Sequence, residues 1–186
     1  MTVRYLLDTN VLIPFFSKDF FLELGKRGLP IRWSLPIEAE FRDVWGRLYP
    51  EQAHNGPKVL ALMRSAVPDW RAPVSRRVLR EVELPDDKDR HVLAAAVGAG
   101  AAVIVTKNLR DFPAAVLERY GLVARAPDDV LCDLFDGDTK GFVTAAAAMR
   151  ARLKAPAMTP QTWLTGVEAG GLKRLAENLA GVSDLL

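Results

Sequence analysis

Val3-Arg4-Tyr5-Leu6-Leu7-Asp8-Thr9-Asn10-Val11-Leu12-Ile13 is the stretch on which the fold turns. A short apolar run that ends at once in a carboxylate and a small polar pair reads as a buried parallel strand carrying an acid at its carboxyl end. Ala102-Val103-Ile104-Val105-Thr106 repeats the pattern, followed by Lys107-Asn108-Leu109-Arg110-Asp111. In open α/β sheets the carboxyl edge is where ligands bind. Asp8 and Asp111 are therefore expected at one sheet edge.

Working outward, strand and helix alternate. A helix is expected from about Val11, with a second apolar face around Phe20, Phe21 and Leu24, before a break at Gly25 to Gly28. Ile31-Arg32-Trp33 reads as a short strand. Ser34 suits an N-cap with Pro36 tolerated in the first turn, and the helix that follows sets Ile37, Phe41, Val44, Trp45 and Leu48 at 3.6-residue spacing, to end at Pro50. A helix over 51–66 carries Pro57, which argues for a break or a late start. The stretch 67–84 has no assignable pattern. Asp86 caps an alanine-rich helix over about 87–99, closed by Gly98 and Gly100. A short helix at 113–120 and a strand at Leu122-Val123-Ala124 complete an α/β/α reading with a central parallel sheet.

From Pro127 onward only helical segments are expected: 127–135, 139–154, 159–168 and 171–180, broken at Asp136-Gly137-Asp138, at Pro156 to Pro160 and at Gly170-Gly171. The organisation expected is a core domain over 1–126 and a small helical extension over 127–186.

The bulk properties exclude several classes. A chain of 186 residues with 49% hydrophobic content has enough apolar matter for a full core. A net charge of +2 permits nucleic-acid binding without demanding it. Cys132 is the single cysteine, which rules out an internal disulfide and a Cys-rich zinc site and fits a reducing interior. No leader pattern opens the sequence and no apolar run reaches membrane-spanning length, so a soluble cytoplasmic protein without membrane association is expected.

The acids form the informative constellation. With a helix from residue 87, Asp89 shares a face with Val92, Leu93 and Ala96, the side that must meet the core. A carboxylate there suits the helix dipole but is costly to bury unless a cation meets it. Serving as a capping-box partner of Asp86 would explain an acid near the helix start, but not its inward direction. Glu38 and Glu40 both flank the apolar stripe of their helix, and periodicity does not choose between them; Asp43 points away. Carboxylates converging at one edge repel one another unless a cation neutralises them. Oxygen-only ligands suit Mg2+ or Mn2+, and such a site serves attack of water on a phosphodiester.

These residues resemble a known family. Leu6-Leu7-Asp8-Thr9-Asn10-Val11-Leu12 resembles the opening of PIN domains, and Trp33-Ser34-x-x-Ile37-x-x-Glu40 is similar to their second motif, a register that favours Glu40 over Glu38. Asp86-Asp87-Lys88-Asp89-Arg90-His91-Val92-Leu93-Ala94-Ala95-Ala96 looks like the third, and Val105-Thr106-Lys107-Asn108-Leu109-Arg110-Asp111-Phe112 resembles the fourth. The motifs stand in family order over residues 6–112. The nearest branch is that of VapC-like toxin ribonucleases of bacterial toxin–antitoxin systems, and the helical tail looks like the extension of some members. The resemblance implies a metal-dependent endoribonuclease with Asp8, Glu40, Asp89 and Asp111 as its acids, of which Asp8, Asp89 and Asp111 are metal ligands. It implies polar helpers at Thr9, Asn10, Ser34 and Asn108, and Asp86 as a cap or supporting group. At the fourth position Asn108 and Asp111 could each supply a ligand. It further implies an RNA substrate and a cognate antitoxin.

Other residues carry weaker signals. His91 falls opposite Asp89 on the expected helix, which predicts a solvent-exposed side chain, and His54 has no partner in view. Arg76, Arg77 and Arg80 read as a solvated face. Phe15, Phe16, Phe20 and Phe21 recur at helical spacing as core, and any exposed part of that face could receive an antitoxin segment or a second copy in a homodimer. Four other readings compete: RNA processing without an antitoxin, a non-catalytic module that keeps the fold, a phosphatase with Asp8 as nucleophile, and dinucleotide or P-loop binding. The third lacks a second acid at Asn10, and the fourth lacks a Gly-rich loop after the first strand.

Overall fold

The computed structural model describes residues 3–154 and 158–186. Tyr5–Leu7 forms β1, and its ladder with the strand Val103–Val105, here β3, is the centre of the sheet. Ile31–Arg32 (β2) lies on one side of β1, and Val123–Arg125 (β4) on the far side of β3. All pairings are parallel, in the order β2-β1-β3-β4. Leu6, Leu7, Ile104 and Val105 are fully buried. Successive strand residues point to opposite faces, so both faces are covered, and the arrangement is the three-layer α/β/α sandwich expected.

The order reverses direction between β1 and β3. The chain leaves β1 toward β2 on one side, then returns to place β3 on the other. Helices leaving the two strands diverge at such a switch point and open a crevice at the carboxyl edge. Leu7 pairs with Val105, so Asp8 and Thr106, the next residues along, sit side by side there.

The helices of the core are α1 (Thr9–Leu12), α2 (Phe15–Lys26), α3 (Leu35–Leu48), α4 (Gly56–Ala66), α5 (Arg76–Glu81), α6 (Arg90–Ala99) and α7 (Ala114–Leu117). Pro14 separates α1 from α2 and stands at the N-cap of the latter. Ser34 caps α3, its Oγ accepting from the Ile37 N–H at 3.4 Å. Ile37 and Phe41 are fully buried, whereas Leu48, expected on the same stripe, is exposed because the last turn of α3 overruns the core. The break suspected at Pro57 falls just before it: a 3₁₀ segment over Pro50–Asn55 precedes α4. The unassigned stretch holds α5 and a bridge from Arg71 to Trp33 that extends the sheet edge. Arg76, Arg77 and Arg80 are exposed, as are Asp43 and His54.

One boundary needs correction. The helix expected from residue 87 begins at Arg90, because Asp87–Asp89 forms a 3₁₀ turn. Asp86 does cap it, accepting from the Lys88 N–H at 2.9 Å. Gly98 lies where α6 crosses the chain at Pro73; a Cβ there would come within 2.0 Å of the Pro73 carbonyl oxygen, so only glycine permits the approach.

The extension comprises α8 (Pro127–Gly137), α9 (Thr139–Ala151), α10 (Pro160–Ala169) and α11 (Lys173–Ala180). Residues 155–157, on which the expected break at Pro156 to Pro160 partly falls, lie outside the described residues; Thr159 caps α10, its Oγ1 accepting from the Thr162 N–H at 3.2 Å. The extension docks on α2. Phe20 stacks on Phe142 with ring centroids 5.5 Å apart, and Trp163 meets Phe16 at 6.0 Å and Phe20 at 5.7 Å. Arg152 adds an ion pair to buried Glu23 at 2.6 Å. The phenylalanine face expected to receive an antitoxin or a second copy is therefore occupied by the chain's own tail: Phe20 and Phe21 are fully buried, Phe16 is half-buried, and Phe15 alone of the four is exposed. An apolar face that size is stable in water only when covered, and α9 and α10 cover it. Among the described residues no helix is long and apolar enough to cross a membrane.

Candidate active site

Asp8 continues the ladder past the end of β1, its N–H donating to the Val105 carbonyl at 3.1 Å, and its extended backbone turns directly into α1. The side chain is 5% exposed and takes three hydrogens. Oδ1 accepts from the Thr9 N–H at 2.6 Å, and Oδ2 accepts from Asn10 Nδ2 at 2.6 Å and from the Thr106 hydroxyl at 2.7 Å. Asn10 spans the switch point: its Nδ2 also reaches Thr106 Oγ1 at 2.9 Å, and its Oδ1 accepts the Lys107 N–H at 2.9 Å. These contacts fix the carboxylate without giving it a positive partner. Burial pushes Asp8 up to about 6; the hydrogen bond from Thr106 opposes this and the charge of Glu40 adds to it.

Glu40 comes from α3 and points back to α1, where the Thr9 hydroxyl donates to its Oε2 at 2.5 Å. Glu38 has a different task. It is fully buried, accepts from Trp33 Nε1 at 3.1 Å, and forms a bidentate pair with Arg64. The geometry thus separates two glutamates that periodicity could not.

Asp89 closes the 3₁₀ turn before α6 and is half-buried. Burial raises its pKa most, followed by the charges of Asp8, Asp111, Asp86 and Glu40, to about 7. Asp111 ends a 3₁₀ turn after β3 and accepts a hydrogen bond from Asn108 Nδ2. The Asn108 N–H donates to Thr106 Oγ1 at 3.1 Å, which ties this loop to the Asp8 network.

Asp8, Thr9, Asn10, Glu40, Asp86, Asp89 and Asn108 line a single open cavity of about 450 Å³, with Lys88 and Lys107 beside them. Asp111 stands behind Asn108 rather than on the cavity wall. Ser34 is buried at the start of α3 and contacts none of the acids. A larger cavity of about 750 Å³ lies between α2 and α4; of its charged residues, Glu23 pairs with Lys26 and Arg152, and Asp19 with Arg152.

His91 departs from expectation. It is not solvated on the far side of α6: its side chain is 21% exposed and Nε2 lies 3.9 Å from Glu40 Oε2. The error came from treating 87–99 as one uniform helix. With Asp89 in a 3₁₀ turn, the angle of two α-helical steps does not apply, and His91 turns toward α3. Its Nδ1 is buried without a hydrogen-bond partner, and burial lowers its pKa while Glu40 raises it. Thr106, Lys88 and Lys107 were also missed. The signal for Thr106 was its place in the register, directly after β3 as Asp8 is after β1.

Among the described residues no three His, Cys, Asp or Glu side chains stand close enough, as placed, to share one ion. The donor set nevertheless suits a hard divalent cation. It consists of carboxylates and an amide, and among the described residues neither Asp8 nor Asp89 has an ion-pair partner while each carries a raised pKa.

The PIN-domain model matches residues 4–110, and a VapC50 C-terminal domain model matches residues 127–181. The chain belongs to the PIN-domain family. Part of it is similar to the protein named "Putative ribonuclease VapC50" of Mycobacterium tuberculosis (strain ATCC 25618 / H37Rv), at 57% identity over 49 residues. The alignment spans 26% of this chain and 29% of that protein's length. No solved structure matches.

Proposed function

We propose that this chain is a divalent-metal-dependent endoribonuclease and the toxin of a toxin–antitoxin pair. The observation that carries the nuclease reading is the meeting of Asp8, Glu40 and Asp89 on one cavity at the switch point, with no cation among the described residues paired to Asp8 or Asp89. Family membership and the name of the VapC50 relative support it. Asp8 and Asp89, with Asp111 or the Asn108 that stands in front of it, would hold Mg2+ or Mn2+. When bound, such an ion lowers the pKa of a water and takes up charge on the phosphoryl oxygens.

The chain's own groups supply the rest. Thr9 N–H, Asn10 and Thr106 hold the Asp8 carboxylate in one rotamer, so that little reorganisation remains when substrate arrives. Glu40 Oε2 is engaged by Thr9. Its Oε1 takes no hydrogen bond among the described residues, and is the atom placed to accept a proton from an attacking water. Lys88 and Lys107 at the rim complement a polyanionic substrate.

Incubation of a mixed RNA pool tests the reading. Cleavage is expected with Mg2+ or Mn2+, is expected to stop in excess chelator, and returns when the ion is restored. Undiminished cleavage in chelator contradicts the metal mechanism. Expression of the chain alone is expected to slow growth, with relief by co-expression of the adjacent small reading frame. Harmless overexpression of folded, RNA-cleaving protein would favour RNA processing without an antitoxin.

A further inference from the structure

One turn of the helical extension reaches the acidic cavity. Gly171, between α10 and α11, has φ of +88°, and a Cβ placed on it would stand 3.6 Å from Nζ of Lys107, which lines the cavity. The turn is anchored on its C-terminal side. Leu172 is fully buried, and the N–H groups of Arg174 and Leu175 donate to the Asp128 carboxylate at 3.0 Å each. Lys107 is fixed at its backbone by Asn10, the residue that also holds Asp8.

The Lys107 ammonium makes no ion pair and donates no hydrogen bond among the described residues, although unpaired acids line the same cavity. Partial burial lowers its pKa. A lysine whose four-carbon stem could swing to a carboxylate, yet which rests against a glycine turn instead, leaves a positive charge at the mouth of an acidic pocket. A phosphodiester of a single strand entering that pocket needs such a charge, since the acids repel it.

We propose that Lys107, backed by the Gly170–Gly171 turn, binds a substrate phosphate, and that the helical extension acts on RNA affinity through this contact. The inference rests on the nuclease reading, and its test separates the two. Binding of a fluorescein-labelled single-stranded RNA of mixed sequence is followed by anisotropy with magnesium present, in full-length protein carrying D8N to block cleavage. Four further variants are compared: K107M, G171D, G171N and K107M/G171D. Asn and Asp are the non-glycine residues that best tolerate positive φ, so G171D and G171N share one backbone demand and differ in charge. Equal melting temperatures of these two variants establish that comparison.

K107M is expected to weaken binding about fivefold and to flatten the dependence of log Kd on log salt by about 0.7. G171D, which sets a carboxylate against the ammonium, is expected to bind at least about threefold more weakly than G171N, and to add nothing in the K107M background. In the otherwise unaltered chain, K107M is expected to raise KM and leave kcat nearly unchanged. Unchanged binding in K107M overturns the proposal, as do G171D and K107M effects that multiply. Failure of the unaltered chain to cleave this RNA with Mg2+ or Mn2+ would instead overturn the nuclease reading.

Discussion

Replacing Asp8 by Asn is expected to change the sign of its effect on stability with pH. The folded carboxyl titrates near 6 against an ordinary 3.8, and the side chain is 5% exposed. At about 1.4 kcal/mol per pH unit, ionising Asp8 in the folded protein costs about 3 kcal/mol more than in the unfolded chain. The sign follows from proton binding. Between about pH 4 and 6 the folded state holds more protons at this site than the unfolded state, so stability falls as pH rises through that window and is level above it.

The asparagine of D8N removes the charge but cannot accept on both sides. With its Oδ1 toward the Thr9 N–H, its amide faces Asn10 Nδ2 and the Thr106 hydroxyl, and the reverse orientation turns it on Thr9. One such conflict costs about 1–2 kcal/mol. At pH 8, in chelator, D8N is thus expected to be more stable than wild type by about 1 kcal/mol. At pH 4.5, where Asp8 is largely protonated, it is expected to be less stable by a similar amount. Urea unfolding at the two pH values measures both, and saturating Mn2+ is expected to stabilise wild type but not D8N. An effect of the same sign and size at both pH values would refute the reasoning, because it would mean that the buried charge does not govern this site.

Glu38→Ala takes the acceptor from buried Trp33 Nε1 and the partner from a half-exposed Arg64, and is expected to lower stability by about 1–3 kcal/mol in denaturant unfolding while the acids of the cavity stay in place. Trp163→Ala removes the side chain that joins α10 to Phe16 and Phe20, and an expected loss of about 3–4 kcal/mol would show that extension and core unfold together; two separate transitions would refute the docking. Gly98→Ala drives a methyl into the Pro73 carbonyl, and a drop of about 2–4 kcal/mol is expected from thermal unfolding. His91→Gln keeps a donor near Glu40 Oε2 whereas His91→Ala does not, so cleavage is expected to fall more in the alanine variant, as initial rates would report.

The placement of Asp8 and its neighbours was legible because a strand exit is a local pattern: three apolar residues, then the acid, then Thr9 and Asn10. Glu40 was half legible, since the wheel left Glu38 as its rival; only the positions of Arg64 and Trp33, brought in by other elements, show that Glu38 is spoken for. His91 was hidden by the 3₁₀ turn at Asp87–Asp89, whose hydrogen-bonding differs from the α-helix without any change in hydrophobic pattern. The strand order was hidden too, because the four short strands do not state which of them pair. Lys107 drew no notice because what distinguishes it is a glycine turn from a distant part of the chain. The phenylalanines of α2 were legible as core, as Phe20 and Phe21 are, but which of them stays exposed was not, because that depends on where α9 and α10 dock and only Phe15 escapes them.

Single-turnover cleavage of one defined single-stranded RNA by wild type, D8N and D89N, at matched folded fractions and with Mn2+ present, tests the central claim most directly. If the acids of the switch-point cavity form the catalytic centre, each substitution is expected to lower the rate by about 10²-fold or more. Cleavage by D89N at the wild-type rate would contradict that claim.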